Sequence, residues 1–83
     1  MKLLYFAWLK SKTGCAEEEV ALPPEVSTVA ELTAWLKTRS AGHAEALADE
    51  KAVRVAVNQA YARPGDAVAE GDEVAFFPPV TGG

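Results

Sequence analysis

The chain contains a single cysteine, a single histidine, no isoleucine and no cluster of lysine and arginine. The lone Cys15 excludes an internal disulfide framework and any four-cysteine zinc or iron–sulfur site; it reads as an incidental thiol in a polar turn. His43 has no cysteine, histidine or paired carboxylate at ligand spacing, so no metal-binding or catalytic role is assigned to it. Eight basic residues against twelve acidic ones give a net charge of −4. Binding to nucleic acid by neutralising phosphates is therefore not expected. No apolar run approaches the roughly 20 residues needed to span a bilayer, so no membrane partner is expected either. Lys2 followed by Leu3–Leu9 looks superficially like a signal peptide, but no small-residue cleavage site follows it. A soluble, cytoplasmic protein is expected.

Hydrophobic residues make up 49% of the 83-residue chain, enough for a core. Alanine accounts for 16 of these 41 residues, so seven leucines, nine valines and seven aromatics must fill that core. The length corresponds to one small domain with a radius of gyration of roughly 12 Å, too small to enclose a deep substrate cavity easily. The seven-residue run Leu3–Leu9 reads as a first strand, with Leu4, Phe6 and Trp8 on its second face available to a partner. Glu17–Leu22 alternates as a second strand, joined to the first by a Gly14-containing hairpin loop and ended by Pro23-Pro24. Thr28-Val29-Ala30-Glu31 matches a capping box, opening a helix whose apolar stripe is Val29, Leu32 and Leu36, with Trp35 at the core edge. Gly42 is expected to interrupt that helix, and His43–Glu50 to add a second short helical stretch. Val53, Val55 and Val57 alternate as a strand, Asn58-Gln59 begins a turn, and a short extended piece surrounds Tyr61. Turns follow at Pro64-Gly65-Asp66 and Glu70-Gly71-Asp72. The last strand is Glu73–Phe77, with Val74 and Phe76 on one face and Ala75 and Phe77 on the other. This order describes an α+β fold, one mixed sheet packed on one main helix.

The chain then reads Pro78-Pro79-Val80-Thr81-Gly82-Gly83. Two prolines stop strand pairing and send the chain out of the sheet in an extended direction. Four further residues reach roughly 13–14 Å if fully extended. The last two lack side chains and fit a channel too narrow for a Cβ. The terminal carboxylate is ionised at neutral pH and is a nucleophile towards an activated phosphate. On the residues alone this segment is either a functional end or a loose terminus.

The segment Glu70–Gly83, with Phe76-Phe77-Pro78-Pro79-Val80-Thr81-Gly82-Gly83 at its core, resembles the C-terminal signature of the molybdopterin synthase small-subunit family. These are ubiquitin-like sulfur carriers with a β-grasp fold. Ala56-Val57-Asn58-Gln59 also matches the lead-in to the family's later strands, whereas Ser40–Lys51 is only loosely comparable. The resemblance implies a β-grasp domain over residues 1–77 and a flexible functional tail over 78–83. It implies that the Gly83 carboxylate is adenylated by an E1-like partner using ATP and Mg, then converted to a thiocarboxylate. It also implies that Pro78, Pro79, Val80, Thr81 and Gly82 thread into the large catalytic subunit, where sulfur passes to cyclic pyranopterin monophosphate to build the molybdopterin dithiolene. No cofactor or metal is then expected on this chain, which is not catalytic alone, and the complex is expected to be a heterotetramer. Phe77, Tyr61 and one face of the first strand are expected to form the apolar docking patch. Two alternatives stand beside this: a β-grasp carrier serving thiamine synthesis or protein conjugation, and a plain binding module with a passive tail.

Overall fold

Leu3 and Tyr5 are buried while Lys2 is exposed and Leu4 only half-buried, the period-two alternation of a strand packed on one face. This is β1 (Lys2–Tyr5), in a computed structural model that describes residues 1–79. It pairs antiparallel with β2 (Glu17–Glu19), Leu3 lying opposite Glu18. On its other side it pairs parallel with β5 (Glu73–Phe77), Leu3 lying opposite Val74. β5 pairs antiparallel with β3 (Arg54–Val57), and β3 with β4 (Ala60–Ala62), giving the order β2-β1-β5-β3-β4. The fold is an α+β β-grasp, a mixed sheet with one main helix and short helices. The strand expected over Glu73–Phe77 has those limits in the structure.

The first strand is shorter than its apolar run. Phe6 N–H still bonds the Phe76 carbonyl at 3.1 Å, but Ala7 turns the chain at φ 55° and α1 (Trp8–Thr13) follows. The reason is ambiguity of period: a seven-residue apolar run fits a buried strand, or a strand followed by one helical turn. Leu9 is fully buried from the helix. Gly14 is not a hairpin loop residue but the left-handed cap of α1, at φ 85°, its N–H bonding the Lys10 carbonyl at 3.0 Å. β2 likewise ends at Glu19 rather than Leu22. Past it the chain is held individually: Val20 N–H bonds the Met1 carbonyl, the Met1 ammonium bonds the Val20 carbonyl at 2.9 Å, and Glu70 accepts from both that ammonium and Leu22 N–H.

The main helix α2 (Val29–Lys37) begins where its cap predicts. Thr28 Oγ1 accepts from Glu31 N–H at 3.2 Å, and Glu31 Oε1 accepts from the Ser27 N–H at 3.0 Å, one residue ahead of the cap. Val29, Leu32 and Leu36 are buried against Leu3, Tyr5, Val74 and Phe76 of the sheet. Trp35 packs on the edge of this core, with the Arg39 guanidinium 5.1 Å from its ring centre. Gly42 does not interrupt a helix; it lies inside α3 (Ala41–Ala46), which Ser40 caps by accepting from His43 N–H. The expected helical stretch His43–Glu50 thus ends at Ala46, and a separate 3₁₀ turn covers Glu50–Ala52. A Cβ at position 42 would stand 2.2 Å from the Lys12 carbonyl oxygen. Glycine is therefore what lets α3 approach the α1 backbone. Between β3 and β4, Asn58 (φ 50°) and Gln59 (φ 70°) form the two-residue turn with both central residues left-handed. The radius of gyration is 11.7 Å. Among the described residues no helix is long and apolar enough to cross a membrane.

Candidate functional site

β5 is the central strand of the sheet, flanked by β1 and β3, and Pro78-Pro79 continue directly from its end. Alternation along it buries Val74 and Phe76 and leaves Phe77 half-buried on the opposite, helix-free face. Tyr61, at 78% exposed, meets Phe77 there, with ring centres 5.9 Å apart and planes inclined at 42°. The structure thus brings the expected patch residues Phe77 and Tyr61 together at the foot of the tail. Phe6 is half exposed and follows Tyr5, the residue paired with Phe76, so it extends the same outer face beside Phe77. Trp8 is also exposed but belongs to α1 rather than to the strand face on which the alternation had placed it. A hollow of about 260 Å³ at the patch is lined by Arg54, Tyr61, Phe77 and Pro79. Of the expected tail residues, Pro78 and Pro79 are described; Val80, Thr81, Gly82 and Gly83 lie outside the described residues.

Arg54 is the member of this site that the sequence reading missed. It alternates with Val53 and Val55, which reads as an ordinary outward charge on a strand. Only the register, with Arg54 opposite Phe77, puts it at the root of the tail. Apart from Arg54 and the Tyr61 hydroxyl, the exposed patch is apolar, a surface suited to binding. Among the described residues no group of three or more His, Cys, Asp or Glu is arranged to hold a metal.

A polar cluster lies on the β2 side of the sheet, against α3. His43 is buried; its Nε2 donates to Glu18 Oε2 at 2.7 Å, and its Nδ1 lies 2.7 Å from Ser40 Oγ. The Tyr5 hydroxyl donates to the same Glu18 oxygen at 2.8 Å, and Arg39 stands 3.6 Å from the other. Burial alone would raise the Glu18 pKa, but the hydrogen bonds from His43 and Tyr5, together with the Arg39 charge, outweigh it and hold the carboxyl below its ordinary value. The same burial, reinforced by the Glu18 carboxylate, pushes the Tyr5 phenol above its ordinary value, so it stays a donor. His43 therefore does have a carboxylate partner, one 25 positions away that spacing along the chain could not reveal. The cluster ties β2 to α3, and with every buried side-chain donor and acceptor satisfied among the described residues it has the character of a structural tie.

A mixed sheet with a central parallel pair, and one main helix across one face, defines the class: a ubiquitin-like β-grasp protein. Two solved structures share it over nearly their whole length. A putative molybdopterin converting factor subunit 1 from Pyrococcus furiosus has a TM-score of 0.78 and 34% identity, covering 95% of each chain. The small archaeal modifier protein 1 of Haloferax volcanii has a TM-score of 0.73 and 30% identity, covering 96% of this chain and 97% of that one. By sequence the chain is 41% identical to the molybdopterin synthase sulfur carrier subunit of Escherichia coli over 83 residues, 100% of this chain and 99% of the relative. The chain belongs to the ThiS family, whose profile matches residues 3–83.

Proposed function

We propose that this protein is the sulfur-carrier small subunit of molybdopterin synthase, working in molybdenum cofactor biosynthesis. The observation that carries the proposal is the full-length likeness to a sulfur carrier subunit, with a family match that runs through Gly83. The placement of Phe77 and Tyr61 at the root of residues 78–83 supports it, because a carrier needs a docking face beside its reactive end. In this reading residues 1–77 are the handle and 78–83 the working tail.

A carboxylate is a poor acyl donor, so a partner of the E1-like type first transfers AMP from ATP, with Mg, to the Gly83 carboxylate and releases pyrophosphate. The terminal sulfur of a donor persulfide attacks the acyl carbon, and AMP leaves. A thiol then cleaves the acyl disulfide, leaving a thiocarboxylate on Gly83 and a disulfide on the donor side. Pro78 and Pro79 hold the tail extended, while Val80, Thr81 and Gly82 thread it into the large catalytic subunit. There the tethered sulfur meets cyclic pyranopterin monophosphate at high effective concentration. General acids and bases belong to the partners, the assembly is a heterotetramer of two small and two large subunits, and the site of action is the cytoplasm.

Intact-mass measurement after incubation with ATP, Mg, the activating enzyme and a sulfur donor tests this. The expected result is the mass gain for replacing one oxygen by sulfur, lost on deletion of Gly83. A chain that keeps its carboxylate, where a known carrier is charged, overturns the reading. The likeness to an archaeal modifier protein favours a second reading, attachment of Gly83 to lysines of other proteins. Covalent adducts in place of sulfur transfer to the pyranopterin would select it.

A further inference from the structure

We infer that Arg54 receives a carboxylate side chain from the large subunit, through the Nε–Nη2 edge of its guanidinium, and so sets the rotation at which the aromatic patch docks. The inference rests on the synthase reading above and deepens it. Arg54 is exposed, stands opposite Phe77 in the β3–β5 ladder and lines the hollow with Tyr61, Phe77 and Pro79. Its Nη1 is held by the carbonyls of Lys51 at 3.1 Å and Val53 at 3.4 Å. Among the described residues no hydrogen bond is made by Nε or Nη2, and no carboxylate lies within 4.0 Å of the guanidinium. The group is thus anchored on one side and presents a planar, two-donor edge on the other, the geometry that a carboxylate fills with two parallel hydrogen bonds.

The patch itself needs such a contact. Attraction between apolar surfaces is non-directional, so Phe6, Tyr61 and Phe77 fix where the partner sits but not how it is turned. A rotational error at the root is magnified along the tail, whose tip must enter a narrow channel. The charge balance points to a carboxylate rather than a cation: the chain carries a net −4, and Arg54 is a positive point inside the docking patch. An acidic group on the partner is drawn to this point and repelled by much of the remaining surface, which selects one setting. A solvent-exposed pair would change affinity only a few-fold. Beside aromatic rings that exclude water on docking, the expected change is about tenfold or more.

The test is calorimetric binding of the full chain to its large subunit, comparing wild type with Arg54→Gln, Arg54→Lys, Arg54→Glu and Phe77→Asp. Arg54→Gln is expected to weaken binding about tenfold and Arg54→Glu about a hundredfold, with Arg54→Lys between wild type and Gln because a point charge loses the two-bond geometry. Raising ionic strength from about 0.1 M to about 1 M cuts the screening length from roughly 10 Å to 3 Å, so wild type should lose more affinity than Arg54→Gln. Arg54→Gln and Arg54→Glu that bind within twofold of wild type, with its salt dependence, while Phe77→Asp binds poorly, overturn the Arg54 inference alone. A wild-type chain that does not bind the large subunit overturns the synthase reading and this inference together. Unchanged thermal unfolding of each Arg54 variant, expected for an exposed side chain, ties any loss to the contact.

Discussion

Glu18 accepts from Tyr5 and His43 with one oxygen and faces Arg39 with the other, joining β1, β2 and α3 through a single carboxylate. Its pKa is held below the ordinary 4.5, as are those of Glu31, through the Ser27 backbone and side chain, and Glu70, through the Leu22 N–H and the Met1 ammonium. A depressed carboxyl stabilises the fold above its unfolded pKa, and that contribution is lost as pH falls through the folded value, because the unfolded chain binds protons first. Stability to urea should therefore fall as pH drops below about 4.5, and Glu18→Gln should flatten part of that decline. His43→Ala removes a partner from a partly buried carboxylate and empties a buried site, and should cost about 1–3 kcal/mol near neutral pH, read from the urea midpoint. None of this cluster was visible in the sequence. Tyr5, Glu18 and His43 are brought together by strand pairing and helix docking, while the periodicities that reveal strands and helices say nothing about which polar groups meet.

At the scale of elements, local chemistry was legible where one signal acted alone. Thr28 capped the helix it predicted, and the alternation Glu73–Phe77 became β5. Thr28→Ala should cost about 1 kcal/mol. For a domain of this size that is roughly 4–8 °C in melting temperature. Where two periods fit one run, the strand expectation fails: Leu3–Leu9 divides between β1 and α1, and Gly14, with Lys10 and Lys12 just before it, is the sequence sign of that helix's end. Gly42 was misread for a related reason. Glycine inside a helix is ordinarily a breaker, but here the neighbouring α1 carbonyl occupies the space of its missing Cβ. Gly42→Ala should therefore destabilise by roughly 1–3 kcal/mol despite alanine's better helix propensity, because α1 and α3 must separate. A measured gain in melting temperature would mean the α1–α3 contact is looser than 2.2 Å implies.

For the whole molecule, the division between core face and outer face was legible from alternation, and so were Phe77 and Tyr61 as outward aromatics; their meeting with Arg54 depended on register, which a single sequence does not carry. Phe77→Asp should fold with little change in melting temperature, since Phe77 is only half-buried, yet bind the large subunit at least tenfold more weakly. Wild-type affinity in that variant would remove the aromatic patch from the interface. The sheet order has a separate, mechanical consequence. β1 begins at the amino end and β5 leads into the tail, and these two strands are parallel neighbours. Traction between the amino end and the tail slides one strand along the other, loading every rung of their ladder at once. Handles at the tail and near residue 53 would sit at one end of the antiparallel β3–β5 pair and peel its rungs in turn. Single-molecule extension should show a higher rupture force in the first geometry, so the domain withstands traction that shears β1 along β5 better than traction that opens β5 from β3.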